Sequence, residues 1–158
     1  MRPIARFLTV LALLSICPAS PAMADFKKGM SAYEAGDYAT ALKEWRPLAE
    51  KGNTDAQYGL GLIYDSGKGV PQNNAEAVRW YRMAAEQGDA DAQSSLGFLY
   101  AKGQGVPQDL VQAHLWLYLA AAQGDKGAAK ERDLLVKKMT PVQLTQAQKL
   151  ARGWKPKK

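Results

Sequence analysis

The stretch Ala77–Gln112 decides the fold and reads AVRWYRMAAEQGDADAQSSLGFLYAKGQGVPQDLVQ. The preceding stretch, Ala41–Glu76, carries many of the same residues in the same places after a shift of 36 residues. The shared positions are small, apolar or turn-forming, and they include Ala49/Ala85, Gln57/Gln93, Leu60/Leu96, Gly61/Gly97, Tyr64/Tyr100 and Pro71/Pro107. A fixed period of this length indicates stacked structural repeats rather than a catalytic fold.

Apolar residues recur at helical spacing within each repeat, which predicts two helices per repeat. In the repeat that starts near Thr54, the first helix carries Ala56, Leu60 and Ile63, and the second carries Ala77, Trp80, Tyr81 and Ala84. The aromatic residues keep the same repeat positions, so we expect them to pack between helices rather than bind a ligand. Gly61 and Gly97 predict the close approach of a neighbouring helix, because a glycine inside a helix otherwise costs about 1 kcal/mol.

Capping residues mark where the predicted helices begin. Asp37 is placed as an N-cap, and Asn73 with Glu76 and Asp109 with Gln112 have the spacing of a capping box. The run Thr140-Pro141-Val142-Gln143 has the same spacing, with proline at the first helical position. Pro47 falls inside a predicted helix, where its missing backbone donor costs about 3 kcal/mol, so we expect a kink or break there.

The C-terminal part departs from the repeat and is basic. Residues 25–125 carry nine Lys/Arg and thirteen Asp/Glu, whereas residues 126–158 carry ten and two. The last predicted helix has an apolar stripe of Leu144, Ala147, Leu150, Ala151 and Trp154, and the tail 155–158 should fray. A solvated capping helix is one interpretation of this basic segment, and weak contact with an anionic membrane surface is the alternative.

The N-terminal 24 residues resemble a secretory signal. Arg2 and Arg6 precede an apolar run, Phe7–Ile16, that is too short to span a bilayer, and Ala22-Met23-Ala24 is a small-x-small cleavage site. We expect cleavage after Ala24 and a periplasmic or secreted product. A lipoprotein signal that uses Cys17 is the rival interpretation, although bulky Ile16 precedes that cysteine.

The predicted organisation has three parts. A signal peptide (1–24) precedes a repeat domain (25–154) and a basic tail (155–158). The repeat domain comprises a divergent leading pair (25–52), two clear repeats (53–88 and 89–124) and a degenerate cap (125–154).

On these motifs the chain resembles the Sel-1-like repeat family, which is related to the tetratricopeptide repeats. The motifs are Ala84-Ala85-Glu86-Gln87-Gly88, Ala92-Gln93, Leu96-Gly97-x-x-Tyr100 and Gly103-x-Gly105-Val106-Pro107-x-Asp109. The resemblance covers roughly residues 41–124 and implies an all-α fold, a right-handed α-α superhelix. We expect a short solenoid of about eight helices in antiparallel pairs. Such proteins act mostly as adaptors or regulators of other proteins.

Catalytic and metal-binding motifs are missing from the sequence. The Gly-x-Gly loops follow predicted helices rather than strands and lack the Lys-Thr ending of a phosphate-binding loop. His114 is the single histidine and Cys17 the single cysteine, so we expect no metal and a partly buried, structural His114. We expect no cofactor, no nucleic-acid partner and no enzymatic activity. Glu50 and Glu86 share one repeat position and are interpreted as solvated helix-end charges.

Candidate binding residues follow from comparing the two repeats. The recognition surface of an array should lie where the repeats differ on the exposed side of the first helices. That criterion selects Tyr58, Asp65, Ser66, Ser94 and Lys102, with Gln57 and Gln93 beside them. We call these seven residues the inner-face set.

The sequence therefore predicts a periplasmic, monomeric helical-repeat protein that binds another protein or a peptide as an adaptor or regulator. A rival from a different class is a cell-envelope hydrolase that acts on peptidoglycan or β-lactams through carboxylates gathered by folding.

Overall fold

A computed structural model describes residues 21–157, with side chains described from Asp25 onward. This part of the chain forms eight α-helices and no strand: α1 Pro21–Glu34, α2 Tyr38–Glu50, α3 Thr54–Ser66, α4 Asn74–Glu86, α5 Ala90–Lys102, α6 Leu110–Ala122, α7 Lys126–Val136 and α8 Pro141–Gly153. Most of the predicted signal peptide lies outside the described residues, and Pro21–Ala24 belong to α1. No described helix is long and apolar enough to cross a membrane.

Side-chain caps begin seven of the helices, as the sequence indicates. Asp37 accepts a hydrogen bond from the Thr40 amide, and Asn73 accepts one from the Glu76 amide. The full reciprocal capping box among the described helices is at Thr140 and Gln143. The boxes predicted at Asn73 and Asp109 are only half formed, because the backbone amides of these two residues donate to the Tyr64 and Tyr100 carbonyls instead.

Helix α2 runs without interruption through Pro47, so of the predicted kink or break at this residue, the break is wrong. Pro47 lies on the exposed side of the helix, one turn before its end. Water can therefore hydrogen-bond the carbonyl that the proline leaves without a donor. On the other side, buried Trp45, Leu48 and Ala49 hold the helix against its neighbours.

Helices that follow each other in the chain pack against each other from α1 to α7, so the hairpins form a short solenoid. Buried aromatic residues at matching repeat positions fill the interfaces, among them Trp45, Trp80 and Tyr81. A Cβ atom added to Gly61 would lie 2.4 Å from Tyr81, and one added to Gly97 would lie 2.7 Å from Leu117. These distances confirm that the two glycines permit close helix packing.

Helix α8 leaves this pattern and packs mainly against α6. Its buried residues are the small Ala147 and Ala151. Within its described part, residues 155–157, the tail that follows does not fray as predicted. The Lys157 amide donates to the Glu86 carbonyl at 2.7 Å, and its ammonium group lies 2.6 Å from the Glu86 carboxylate. Lys157 is therefore held against the end of α4.

Candidate functional site

Gln57 and Gln93 lie inside the array. Their exposed fractions are 1% and 0%. The Gln57 side-chain amide donates to the Ala49 carbonyl at 2.9 Å, and Gln93 donates in the same way to Ala85 at 3.1 Å. Each side-chain oxygen also accepts a hydrogen bond from a glutamine 30 residues later. These two members of the predicted inner-face set are thus structural, because neither side chain can reach a partner.

Ser94 is also buried and is committed to a contact within the chain. Its hydroxyl lies near the carboxylate of Asp125, the N-cap of α7. The hydrogen bond from the Ala128 amide and the nearby Ser94 hydroxyl hold the pKa of Asp125 below its usual range. Ser94 therefore joins α5 to the start of α7 and is not part of a free surface.

Tyr58 is half-buried on α3 and packs against the buried ring of Tyr81, with ring centroids 5.8 Å apart. Burial and the nearby carboxylates of Asp91 and Asp89 raise the pKa of Tyr58 to about 12. The phenol therefore stays neutral at physiological pH. It can offer a partner one hydroxyl and one partly exposed ring edge.

Asp65 lies two turns after Tyr58 on α3 and is half-buried. Its carboxylate accepts a long hydrogen bond of 3.4 Å from the Tyr81 hydroxyl. Tyr81 therefore connects the two inner-face residues Tyr58 and Asp65. The structure brings these two together on one face of α3.

Ser66 and Lys102 are exposed at the ends of α3 and α5. The Ser66 hydroxyl donates to the Leu62 carbonyl at 2.6 Å, while Lys102 forms no ion pair among the described residues. Four members of the inner-face set therefore have at least partly accessible side chains: Tyr58, Asp65, Ser66 and Lys102.

His114 is buried, with 3% of its surface exposed, and its Nδ1 atom has no hydrogen-bond partner in the described chain. Its ring stacks on Tyr118 at 6.3 Å between centroids. Burial and the positive charge of Arg132 lower the pKa of His114. The imidazole therefore stays neutral at physiological pH, and its burial agrees with a structural role.

Glu50 and Glu86, which share one repeat position, differ in their surroundings. Glu50 is exposed, and Glu86 is partly buried and paired with Lys157. Within residues 21–157, no group of three or more His, Cys, Asp or Glu side chains could hold a metal ion.

A different surface, which the sequence did not indicate, lies along α8. Val142 and Leu150 are 76% and 39% exposed, although Leu150 was predicted to face the core. An open groove of about 550 Å³ lies between α6 and α8 and is lined by Leu115, Gln146, Lys149, Leu150, Gly153 and Trp154. The sequence signal for this surface is the pair of alanines, Ala147 and Ala151. Their small side chains allow α8 to lie closer to the core than Leu150 would, so Leu150 is left at the surface.

Comparisons with known proteins agree with this architecture. A family model described as Sel1 repeat matches residues 54–89 and 90–125. A protective antigen of uropathogenic Escherichia coli strains with an SLR fold is 35% identical in sequence. It superposes with a TM-score of 0.78 over 83% of this chain and 29% of its own. A Sel1 repeat protein from Oxalobacter formigenes is 36% identical, with a TM-score of 0.66 over 70% of this chain and 45% of its own.

Two curated relatives are similar over a shorter stretch. An exopolysaccharide production negative regulator of Rhizobium meliloti (strain 1021) is 42% identical over 52 residues. The protein of the same description from Rhizobium leguminosarum bv. viciae is 40% identical over 52 residues. Each match covers 33% of this chain but only 19% or 20% of the relative, so the chain spans about a fifth of these relatives.

Proposed function

Because residues 54–125 of this chain belong to the Sel1 repeat family, we propose that the protein binds another protein or a peptide through the inner face of its helix array. Sel1 repeats typically mediate protein–protein interaction. The observation that carries the proposal is the arrangement of Tyr58 and Asp65 on one face of α3, with Ser66 and Lys102 accessible nearby. In this proposal the protein is an adaptor or regulator without chemistry of its own.

The accessible inner-face residues suit recognition. Tyrosine supplies a large contact area at low conformational cost, which is why it is frequent in binding surfaces. Asp65 adds a carboxylate and Lys102 an ammonium group, so a partner with opposite charges at matching positions would be preferred. The hydrogen bonds of Gln57 and Gln93 support this face from inside by fixing neighbouring helices.

Regulation is the form of binding that the curated relatives suggest. Both are described as negative regulators of exopolysaccharide production. For this chain we infer a regulatory adaptor in the periplasm. The support for that location is the Arg2, Arg6 and Phe7–Ile16 pattern with its Ala22-Met23-Ala24 site. N-terminal sequencing of the protein recovered from a periplasmic fraction should give Asp25 first, and a cytoplasmic chain that keeps residue 1 would refute export.

The binding proposal is tested by affinity capture from cell-envelope extract with three tagged proteins: the native chain, an inner-face variant and a control. The inner-face variant combines Asp65→Asn, Ser66→Arg and Lys102→Glu, which alter side chains without removing core packing. The control combines Lys43→Glu and Lys51→Glu, at exposed positions on and just after α2. We expect the native chain and the control to recover equal amounts of the same partner. The inner-face variant should recover at least ten times less of it. Equal recovery by all three would refute the proposed face.

A further inference from the structure

Helix α8 exposes two of its three large apolar residues, Val142 and Leu150, and buries its small ones. Ala147 and Ala151 face the core, whereas Val142 and Leu150 lie at the surface. Alanine lets α8 lie close to α6, but it buries little apolar area itself. The exposed apolar side chains of α8 therefore contribute little to its contact with the rest of the array.

These side chains form an elongated concave surface rather than isolated patches. The groove of about 550 Å³ between α6 and α8 has Leu115, Leu150 and Trp154 among its lining residues. A second hollow of about 430 Å³ is lined by Pro141, Val142, Thr145, Gln146 and Lys149. Gln146 and Lys149 line both, so the two hollows adjoin along α8. We call this surface the α8 groove.

The wall formed by Trp154 is fixed from two sides. Its ring meets Trp116 edge to face, with centroids 6.4 Å apart. Three residues later, Lys157 is bound through both its backbone amide and its ammonium group to Glu86 at the end of α4. The α8 groove is therefore preformed, which lowers the entropic cost of binding.

The C-terminal segment that carries the α8 groove has charges of one sign. Residues 134–158 contain seven Lys or Arg and no Asp or Glu. Lys149 lines both hollows, and Arg152 and Lys155 are exposed on the same segment. Within the described residues, none of these three cations forms a salt bridge, whereas Lys157 pairs with Glu86. A partner that carries carboxylates beside apolar side chains would complement this surface.

We propose that the α8 groove binds an acidic amphipathic segment of another protein. Along α8, Val142 and Leu150 are eight residues apart, which corresponds to about 12 Å. That length matches two turns of a bound helix, whose apolar anchors recur at i, i+3, i+4 and i+7. Such a segment is favoured over a lipid surface because the apolar side chains line two adjoining hollows, and only Val142 projects strongly. This inference does not rest on the inner face.

The proposal is tested by selecting peptides from a random 16-residue phage-display library on the immobilised full chain. We expect the native chain to enrich peptides with Asp or Glu beside apolar residues at helical spacing. Synthetic copies of these peptides should bind at least tenfold more weakly to Lys149→Glu and to Leu150→Glu, and more weakly to the native chain in high salt. Lys43→Glu is the matched control, since it reverses an exposed lysine on α2 that belongs to neither proposed surface, and it should bind like the native chain.

Two results would overturn the proposal. One is a failure of the test to show a specific acidic peptide. In that case either no acidic peptides are enriched, or the enriched peptides bind Lys149→Glu and Leu150→Glu with the same affinity as they bind the native chain. The other is binding to phosphatidylglycerol vesicles without binding to any selected peptide, which would identify a membrane contact instead. Far-UV circular dichroism of each variant separates lost binding from lost folding. The envelope partner of the inner face should still be captured by Leu150→Glu, so the two proposals fail separately.

Discussion

The side-chain amide of Gln93 connects the last turn of α4 with the residue that follows α6. Its nitrogen donates to the Ala85 carbonyl, and its oxygen accepts from Gln123 at 2.9 Å. Replacing it with leucine keeps most of the volume but removes both hydrogen bonds, while the Ala85 carbonyl still accepts from the Gly88 amide. We therefore expect Gln93→Leu to lower the free energy of unfolding by about 0.5–1.5 kcal/mol in urea titration.

The repeat supplies a second test of the same contact. Gln57→Leu should lower the free energy of unfolding by a similar amount, because Gln57 donates to Ala49 in the same way. Gln104→Leu is the control at an exposed loop position and should change the free energy of unfolding by less than about 0.5 kcal/mol. Equal losses of unfolding free energy in Gln57→Leu, Gln93→Leu and Gln104→Leu would show that the buried amides have no structural role.

The single histidine should make the stability depend on pH. Burial lowers the pKa of His114 in the folded chain, and Arg132 lowers it further. The unfolded chain therefore takes up the proton first, at about the ordinary pKa of 6.5, and the free energy of unfolding falls as the pH drops below that value. One such group changes it by at most about 1.4 kcal/mol per pH unit.

Urea titrations at pH 7.5 and pH 5.5 measure this effect. We expect the native chain to lose stability between these values and His114→Gln to lose less. The carboxylates with lowered pKa values, Asp37 and Asp125, titrate further into the acid range and contribute little in this window. If the native chain and His114→Gln lost the same unfolding free energy between pH 7.5 and pH 5.5, the lowered pKa of His114 would be contradicted.

At the scale of helices, the close packing of α5 on α6 depends on Gly97. A Cβ atom there would lie 2.7 Å from Leu117 Cγ and 3.1 Å from the Leu117 backbone nitrogen. Alanine is the better helix former by about 1 kcal/mol, but the clash forces the two helices apart. We expect Gly97→Ala to lower the free energy of unfolding by about 1–3 kcal/mol.

The matched control for Gly97 is Gly153, at the end of α8. A Cβ atom at Gly153 would meet no atom within 4 Å. Gly153→Ala should therefore be neutral or slightly stabilising in the same chemical denaturation. A Gly97→Ala chain as stable as Gly153→Ala would show that α5 and α6 do not pack as closely as described.

The sequence predicted the elements that depend on local chemistry. The period, the N-cap residues and the glycines Gly61 and Gly97 report directly on helix ends and close packing, and the structure confirms them. The side chains of Glu76 and Gln112 do not complete the predicted capping boxes. The break at Pro47 was wrong because the exposed side of a helix tolerates a missing donor near its end.

The binding residues were harder to predict because their exposure depends on tertiary contacts. Gln57 and Gln93 are polar and repeat-invariant, yet they serve the interior. The docking of the tail joins Lys157 to Glu86, which are 71 residues apart, so no local pattern could reveal it. The same holds for Leu150, which fits the apolar stripe of α8 but is displaced outward because Ala147 and Ala151 make the contact with the core.

At the scale of the molecule, the hairpins form one stack with two separate surfaces. The inner face carries Tyr58 and Asp65, and the α8 groove lies on the basic C-terminal part. In a repeat array each unit is stabilised mainly by its neighbours, so both surfaces depend on the stack remaining intact. A protein that recognises partners on preformed surfaces needs this stack to be rigid.

Native-state amide hydrogen exchange of the full chain tests the continuous stack most directly. Leu60 and Leu96 are fully buried, occupy the same repeat position and lie on α3 and α5. If the repeats form one cooperative unit, their amides should report opening free energies within about 1 kcal/mol of each other. Opening free energies that differ by several kcal/mol would show that the hairpins open independently and would contradict the account.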